Sequence, residues 1–558
     1  MSNTRKGDGS PLKALFSRLS LRNTSAKKRP QSLIALYPTE LLVEIFFYLV
    51  SVSYQTFLTD VRSIDAGFLR QAHVSRRWRV WMLQATHVCR HWRAVAYQHP
   101  LLWTLVNLDW PRAWLQLAFT QSHNLPLHLV SSKMHDGHAH VNYLGILLPR
   151  AATVELRMAR QTNLTYGALN LPVLRYLKIT QEEKDWPVPF VSYQSNLQVL
   201  EHLELLGCPW REAARYFRPT LRYLSIQLCQ NIPSVLAVLD ALESMPLLEH
   251  LSVGFPIYGE AETELEGTGT CSPRRAVTLR NLTQLWLSGK VTMITETLQH
   301  LRYPASACVA LVPDALDSQP WRLQNLRVNS LYATIAGKLQ GKGVIGTPER
   351  LQSLVVRAPS LDNPLTPQFV LETESQVQVR YSGKALPSEH PWPILTLAMQ
   401  DVHIEDLVTG MVGALGDDQC REVREVVLKG GFPEYLAPMF VDAFVRLPNV
   451  ESLLLYDSTM WDSRYVAVGV PAPDQTLFPR MRELRLRRFA FHDAWDVELA
   501  ELRLPFENMM ALLLDLLASR REGGFAMDRL KIERSVDFTE KDKRALAKYV
   551  KEVVVLAL

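Results

Sequence analysis

Leu200-Glu-His-Leu203-Glu-Leu205, Leu221-Arg-Tyr-Leu224-Ser-Ile226 and Leu248-Glu-His-Leu251-Ser-Val253 are one six-residue pattern, apolar-x-x-apolar-x-apolar, written three times. It occurs before them as Leu174-Arg-Tyr-Leu177-Lys-Ile179. After them come Leu282-Thr-Gln-Leu285-Trp-Leu287, Leu323-Gln-Asn-Leu326-Arg-Val328 and Leu351-Gln-Ser-Leu354-Val-Val356. Weaker copies are Ile394 to Met399, Val423 to Leu428, Val450-Glu-Ser-Leu453-Leu-Leu455 and Met481-Arg-Glu-Leu484-Arg-Leu486. Successive strand side chains point to opposite sides, so the alternation in the last three positions predicts a strand with one buried face. The leading apolar residue anchors the turn into it.

The clear copies start at 174, 200, 221, 248, 282, 323 and 351. Several of these intervals match a leucine-rich period of roughly 20 to 29 residues, and the wider ones imply inserted loops. Helical stripes fall between strands, as in Ile232, Val235, Leu236, Leu239, Leu242 and Met245, or in Phe506 to Ala518. Openings such as Leu171-Pro172-x-Leu174 and Leu447-Pro448-x-Val450 recur. With one strand and one helix per copy, residues 151–558 resemble an irregular leucine-rich-repeat solenoid, an α/β repeat with parallel strands. An ordinary α/β domain with a parallel sheet also alternates strand and helix and remains the other reading. Composition shifts place inserted loops near 256–278, 358–393 and 459–475.

Residues 34–110 read differently. Leu41, Leu42, Ile45, Phe46 and Leu49 form a helical stripe opened by Pro38 and Glu40, both suited to a first helical turn. Val88, Cys89, Trp92, Val95 and Ala96 form a second stripe, followed by Leu101-Leu102-Trp103. His73-Val-Ser-Arg-Arg-Trp78 nearly copies His87 to Trp92, and the second copy is preferred because it runs on into Leu102-Trp103. Leu36, Pro38, Glu40-Leu41-Leu42, Ile45-Phe46, Val88-Cys89-x-x-Trp92-Arg93 and Leu102-Trp103 resemble the F-box, especially the F-box-like proteins of mushroom-forming fungi. The resemblance implies a short helical module that docks on a Skp-family adaptor and, through it, a cullin. It places Pro38, Leu41, Leu42, Ile45, Val88 and Trp92 in or directly behind that interface. A plain helical cap on the first repeat would show the same stripes. Residues 111–150 are then a linker or cap of the solenoid.

The formal net charge is +5 over 558 residues, but the first 30 residues hold eight Lys/Arg against Asp8 alone. The rest is close to neutral, without the basic face of a dedicated nucleic-acid binder. Residues 1–33 read as a disordered basic tail; a transit peptide or a nuclear-import use of Lys27-Lys28-Arg29-Pro30 has the same composition. Six scattered cysteines form no CxxC pair, which suits a reducing compartment, and no apolar run is long enough to span a membrane. The expected location is cytoplasmic, nuclear or both.

HExxH, GxSxG and Walker-type motifs are missing, and Gly337-Lys-Leu-Gln-Gly341-Lys342-Gly343 has the wrong spacing for a phosphate loop. His135, His138 and His140 beside Asp136 read as a polar loop; no metal, cofactor or catalytic residue is expected. Residues between the buried strand positions would line an open face that grips a protein target. Tyr223, Trp286 and Tyr456 are its aromatic anchors, and Arg327, Arg357, Arg485 and Arg487 would favour acidic or phosphorylated segments. The chain thus reads as a non-enzymatic substrate-recognition adaptor of a Skp/cullin/F-box-type ubiquitin ligase. The alternative is a leucine-rich-repeat interaction scaffold with no ligase link.

Overall fold

The computed structural model describes residues 38–46, 48, 88–134, 145–158, 171–181, 197–229, 232, 234–255, 276–314, 321–346, 351–357, 375–381, 395–399, 404–429, 443–456, 477–487, 489, 491, 509–535 and 538–556. The basic tail, residues 256–275 of the predicted loop at 256–278, the predicted loop at 459–475, and the histidines at 135–140 lie outside them. The chain divides into two compact units, Met1–Leu200 and Glu201–Leu558.

In the first unit, residues 39–46 form helix α1, and α2 is Arg90–Gln98. Cys89 caps α2 by accepting the Trp92 backbone N–H on its sulfur at 3.4 Å. The Trp103 indole N–H donates to the Ala96 carbonyl at 2.8 Å and its ring stacks on Tyr97, tying the end of α2 to the following segment. Four parallel strands follow: β1 (Leu105–Asn107), β2 (Leu127–Met134), β3 (Ala151–Met158) and β4 (Tyr176–Gln181). The sheet therefore starts well ahead of residue 151, inside the stretch read as module and linker. Helix α3 (Arg112–Gln121) lies between β1 and β2, and Arg150 satisfies carbonyls beyond its end, donating to Ser122 at 3.3 Å and Leu125 at 2.9 Å.

The second unit opens with β5 (His202–Leu206), β6 (Tyr223–Gln227) and β7 (His250–Gly254), each lying on one copy of the pattern. Next come β8 (Val277–Thr278), β9 (Gln284–Lys290), β10 (Leu301–Pro304), β11 (Cys308–Asp314) and β12 (Val344–Ile345). The chain continues through β13 (Leu351–Arg357), β14 (Ser375–Tyr381), β15 (Leu395–Met399) and β16 (Glu425–Lys429). It ends with β17 (Ser452–Tyr456), β18 (Glu483–Arg487), β19 (Arg529–Glu533) and β20 (Glu552–Leu556).

The main sheet runs β5-β6-β7-β9-β11-β15-β14-β13-β16-β17-β18-β19-β20. All neighbours are parallel except β14, which is antiparallel to both β13 and β15. Short β8, β10 and β12 pair in parallel as a separate ribbon. Helices α4 (Val235–Glu243), α5 (Val291–His300), α6 (Trp321–Leu339) and α7 (Ile404–Ala414) pack side by side, α5 also on β9 and β11. The architecture is α/β with a large parallel-strand sheet.

The recurring leucines fill the inner side: Leu203, Leu205, Leu224, Ile226, Leu251, Val253, Leu285 and Leu287 are all buried. Cys208 and Cys229 sit at the same offset behind β5 and β6; both are buried, and the Cys229 thiol donates to the Cys208 carbonyl. Burial pushes the Cys208 thiol well above its ordinary range, so it serves as a small hydrogen-bonding core residue. The residue directly after β5, β6 and β19 is left-handed in each case: Gly207, Leu228 and Arg534. At the opposite strand end, charges alternate across neighbouring strands. Arg222 pairs with Glu249 at 2.5 Å, Arg424 with Glu451 at 3.2 Å, and Lys551 with Asp528 at 2.5 Å.

Three expectations change. Leu323 to Val328 is not a strand but part of α6, because Leu331, Ile335 and Leu339 are buried and extend a helical rather than an alternating period. The strand that takes its place in the sheet is β11, where Ser306 stands at the leading apolar position and hides the pattern. Residues 358–393, read as an inserted loop, contain β14, which fills the sheet between β15 and β13.

Candidate functional site

Two surfaces carry the residues singled out from the sequence. On α1 the single predicted stripe resolves into two neighbouring strips. Leu42, 0% exposed, and Phe46, one turn later, point inward, and the Phe46 ring meets Trp92 edge-on at 5.3 Å. Leu41, 51% exposed, and Tyr48, two turns later, point outward, with Pro38 exposed and Ile45 half-buried. Val88, 47% exposed, precedes α2, and Leu101 is exposed beyond it. Leu42 and Trp92 therefore brace the module from behind, whereas Pro38, Leu41 and Val88 are presented to solvent. Tyr48 and Leu101 were not singled out; the seven-residue offset from Leu41 to Tyr48 is the signal that places both on one side of a helix.

The second surface is the open side of the main sheet. One row of residues in register is His202, Tyr223, His250, Gln284 and Cys308. Its rings form a ladder: His202 stacks on Tyr223 at 3.8 Å with planes 7° apart, and Tyr223 lies 5.5 Å from His250. The Glu204 carboxylate is 2.8 Å from His202 Nε2. The next row is Glu204, Ser225, Ser252, Trp286 and Ala310, and Leu454, Arg485 and Lys531 share a row on β17 to β19. Trp286 is partly exposed with a serine on one side and an alanine on the other. Gln227 donates to Ser252 Oγ at 2.7 Å, and Gly254 leaves the room for it, since a Cβ there would lie 2.5 Å from Gln227 Oε1.

The far end of this side is charged. Arg357, Lys429, Tyr456, Arg487 and Glu533 share one register row. Arg485 donates to Glu483 at 2.9 Å and lies 3.9 Å from Glu425; Arg487 lies 3.8 Å and Lys531 2.5 Å from Glu533. The Arg485 hydrogen bond holds the Glu483 carboxyl below its ordinary range and raises Arg485 in turn. Arg485 is thus already matched by Glu483 on its own strand and Glu425 two strands away, and Arg487 by Glu533 on the adjacent strand. Glu483, with Glu425 and Glu533, which the sequence did not single out, decides this balance. Arg327 lies on α6 and does not belong to the sheet surface.

Among the described residues no group of His, Cys, Asp and Glu has the geometry to hold a metal ion. No described helix is long and apolar enough to cross a membrane. Comparison with known proteins finds no family model and no curated protein that matches this sequence.

Proposed function

We propose that this chain is the substrate-recognition subunit of a Skp/cullin/F-box-type ubiquitin ligase. The module around α1 and α2 resembles an F-box and would recruit the Skp-family adaptor; the parallel-strand unit resembles a leucine-rich-repeat solenoid and would hold the target, with ubiquitin chemistry performed by other subunits. The observation that carries the reading is the division of labour on α1. Leu42 and Phe46 anchor the helix, while Leu41 and Tyr48 stay exposed on one side of it, an apolar strip of the kind an adaptor helix would bury. The recurring strand pattern and the buried cysteines behind β5 and β6 support the repeat part.

The test is co-purification with a Skp-family adaptor. Leu41→Asp combined with Val88→Asp changes only exposed positions and is expected to abolish capture while leaving the fold intact. Leu42→Ala would be a poor probe, because emptying that buried site costs about 2–5 kcal/mol and could unfold the module. No capture by the wild-type chain would remove the ligase link and leave an interaction scaffold.

A further inference from the structure

β20 ends the main sheet with its inner side uncovered. Leu455, Leu486 and Ile532 share one register row and are 2%, 0% and 1% exposed; Val555, next in that row, is 39% exposed, and Leu556 beside it 45%. Among the described residues only β19 pairs with β20. The last unit of a stacked architecture leaves open the apolar side that a following unit would share. Edge strands are usually guarded by a charge, a proline or a bulge. The run Val553-Val-Val-Leu556 has none of these, and its register on β19 is unbroken.

The backbone decides which groups this edge offers. The Glu552 N–H donates to the Asp528 carbonyl at 3.0 Å, and the Leu556 carbonyl accepts from the Arg534 N–H at 3.2 Å, so the even-numbered residues of β20 direct their backbone groups at β19. Alternate residues of a strand point the opposite way, and the N–H and C=O groups of Val553 and Val555 therefore face outward. These are also the residues whose side chains turn inward, in line with the buried Leu530 and Ile532. The flanking charges are matched within the chain, Glu552 by Arg529 at 2.8 Å and Lys551 by Asp528 at 2.5 Å. A strand that seals this edge must be uncharged and must carry its outward backbone groups on the same residues as its inner apolar side chains. β20 itself meets each condition.

We propose that two copies of this chain pair through β20, antiparallel about a two-fold axis at Val554. Such an axis sets inner side chains opposite inner ones only when it passes through a residue, and the direction of the backbone groups imposes the same requirement. Centred on Val554, Val553 of each copy lies opposite Val555 of the other and exchanges hydrogen bonds with it. The inner valines then cover one another, and Glu552 faces Leu556 rather than a like charge. Centring on Val553 instead would set Lys551 against Val555. The contact is the same patch on both copies, so it closes and consumes the edge. One short strand per copy makes a small interface, so association in the micromolar range or weaker is expected.

Sedimentation of the full chain over a concentration series is expected to show a monomer–dimer equilibrium. Val553→Pro deletes an N–H that faces away from β19 and should weaken dimerisation by about tenfold or more while amide exchange in β19 is unchanged. Val554→Glu sets two carboxylates face to face on the axis, and Val554→Lys two ammonium groups. Each variant alone should sediment as a monomer, and mixing the two should restore a mixed dimer, identified by native mass spectrometry. Leu41→Asp with Val88→Asp should leave the dimer intact. A wild-type chain that stays monomeric, a dimer that survives Val553→Pro or is lost with Leu41→Asp and Val88→Asp, or a failure of the two Val554 variants to associate on mixing overturns the proposal.

Discussion

Gly410 on α7 tests the helix packing behind the sheet. A Cβ at this position would sit 2.2 Å from Cε2, 2.5 Å from Cζ and 2.8 Å from the hydroxyl oxygen of Tyr332 on α6. Normal contact begins near 3.4 Å, so the two helices or the ring must move by about an ångström, and Tyr332 is buried and cannot swing into solvent. Overpacking of this kind costs about 1–3 kcal/mol. Against it stands the helix preference of alanine over glycine, about 1 kcal/mol. Gly410→Ala should therefore destabilise the wild-type chain by up to roughly 2 kcal/mol. In a Tyr332→Ala background the clash is gone and only the helix preference remains, so the same substitution should stabilise by up to about 1 kcal/mol. The assay is a double-mutant cycle read by amide exchange of α6 and α7, which reports this region without requiring the whole chain to unfold in one step. An effect of equal sign and size in both backgrounds would refute the close approach of the helices.

Reversing one charge of the ladder, Arg222→Glu, places three carboxylates on successive strands at Glu201, residue 222 and Glu249 and should cost about 1 kcal/mol; adding Glu249→Arg should recover most of it, as urea denaturation of both variants would show. Lys338 donates to the Leu301 and Gly343 carbonyls at 2.7 and 3.2 Å, and burial with the neighbouring Arg302 charge lowers its pKa to about 8. The folded chain therefore releases this proton earlier than the unfolded chain, so Lys338's contribution to stability is lost as pH falls through about 8 and grows as pH rises towards the ordinary lysine range. Lys338→Met should flatten that rise, measured as urea midpoints between pH 7 and 10; an unchanged slope would mean that Lys338 does not titrate there.

Much of the sheet is legible because its signal is local. In Leu203-x-Leu205 or Leu484-x-Leu486 the inward residues are two apart, and no distant information is needed to see which side is buried. The same pattern runs on in Met527-x-x-Leu530-x-Ile532 and Val550-x-x-Val553-x-Val555, under β19 and β20. Misreadings arise where one local signal imitates another. Leu323 and Leu326 satisfy a strand pattern and a helical stripe equally, and only the continuation through Leu331, Ile335 and Leu339 decides between them. The antiparallel β14 is of a third kind: the alternation of Val377 and Val379 is weak, and its place between β13 and β15 follows from pairing that no six-residue window contains.

The interaction surfaces divide along the same line. Alternation alone puts Tyr223, Trp286, Arg485 and Arg487 opposite the buried leucines, and each of the four is partly exposed. Whether those side chains are available to a partner is a question of neighbours across the sheet. Glu425 reaches Arg485 from β16, and Glu533 reaches Arg487 from β19, so positions that look strongly basic along the chain are balanced in space. Trp286 meets the reverse situation, since the strands beside it contribute Ser252 and Ala310, too short to cover an indole. Composition along a strand thus overstates the charged end and understates the aromatic one. The same logic governs α1, where Leu41 and Leu42 are adjacent and chemically identical in sequence, yet one is buried and the other exposed.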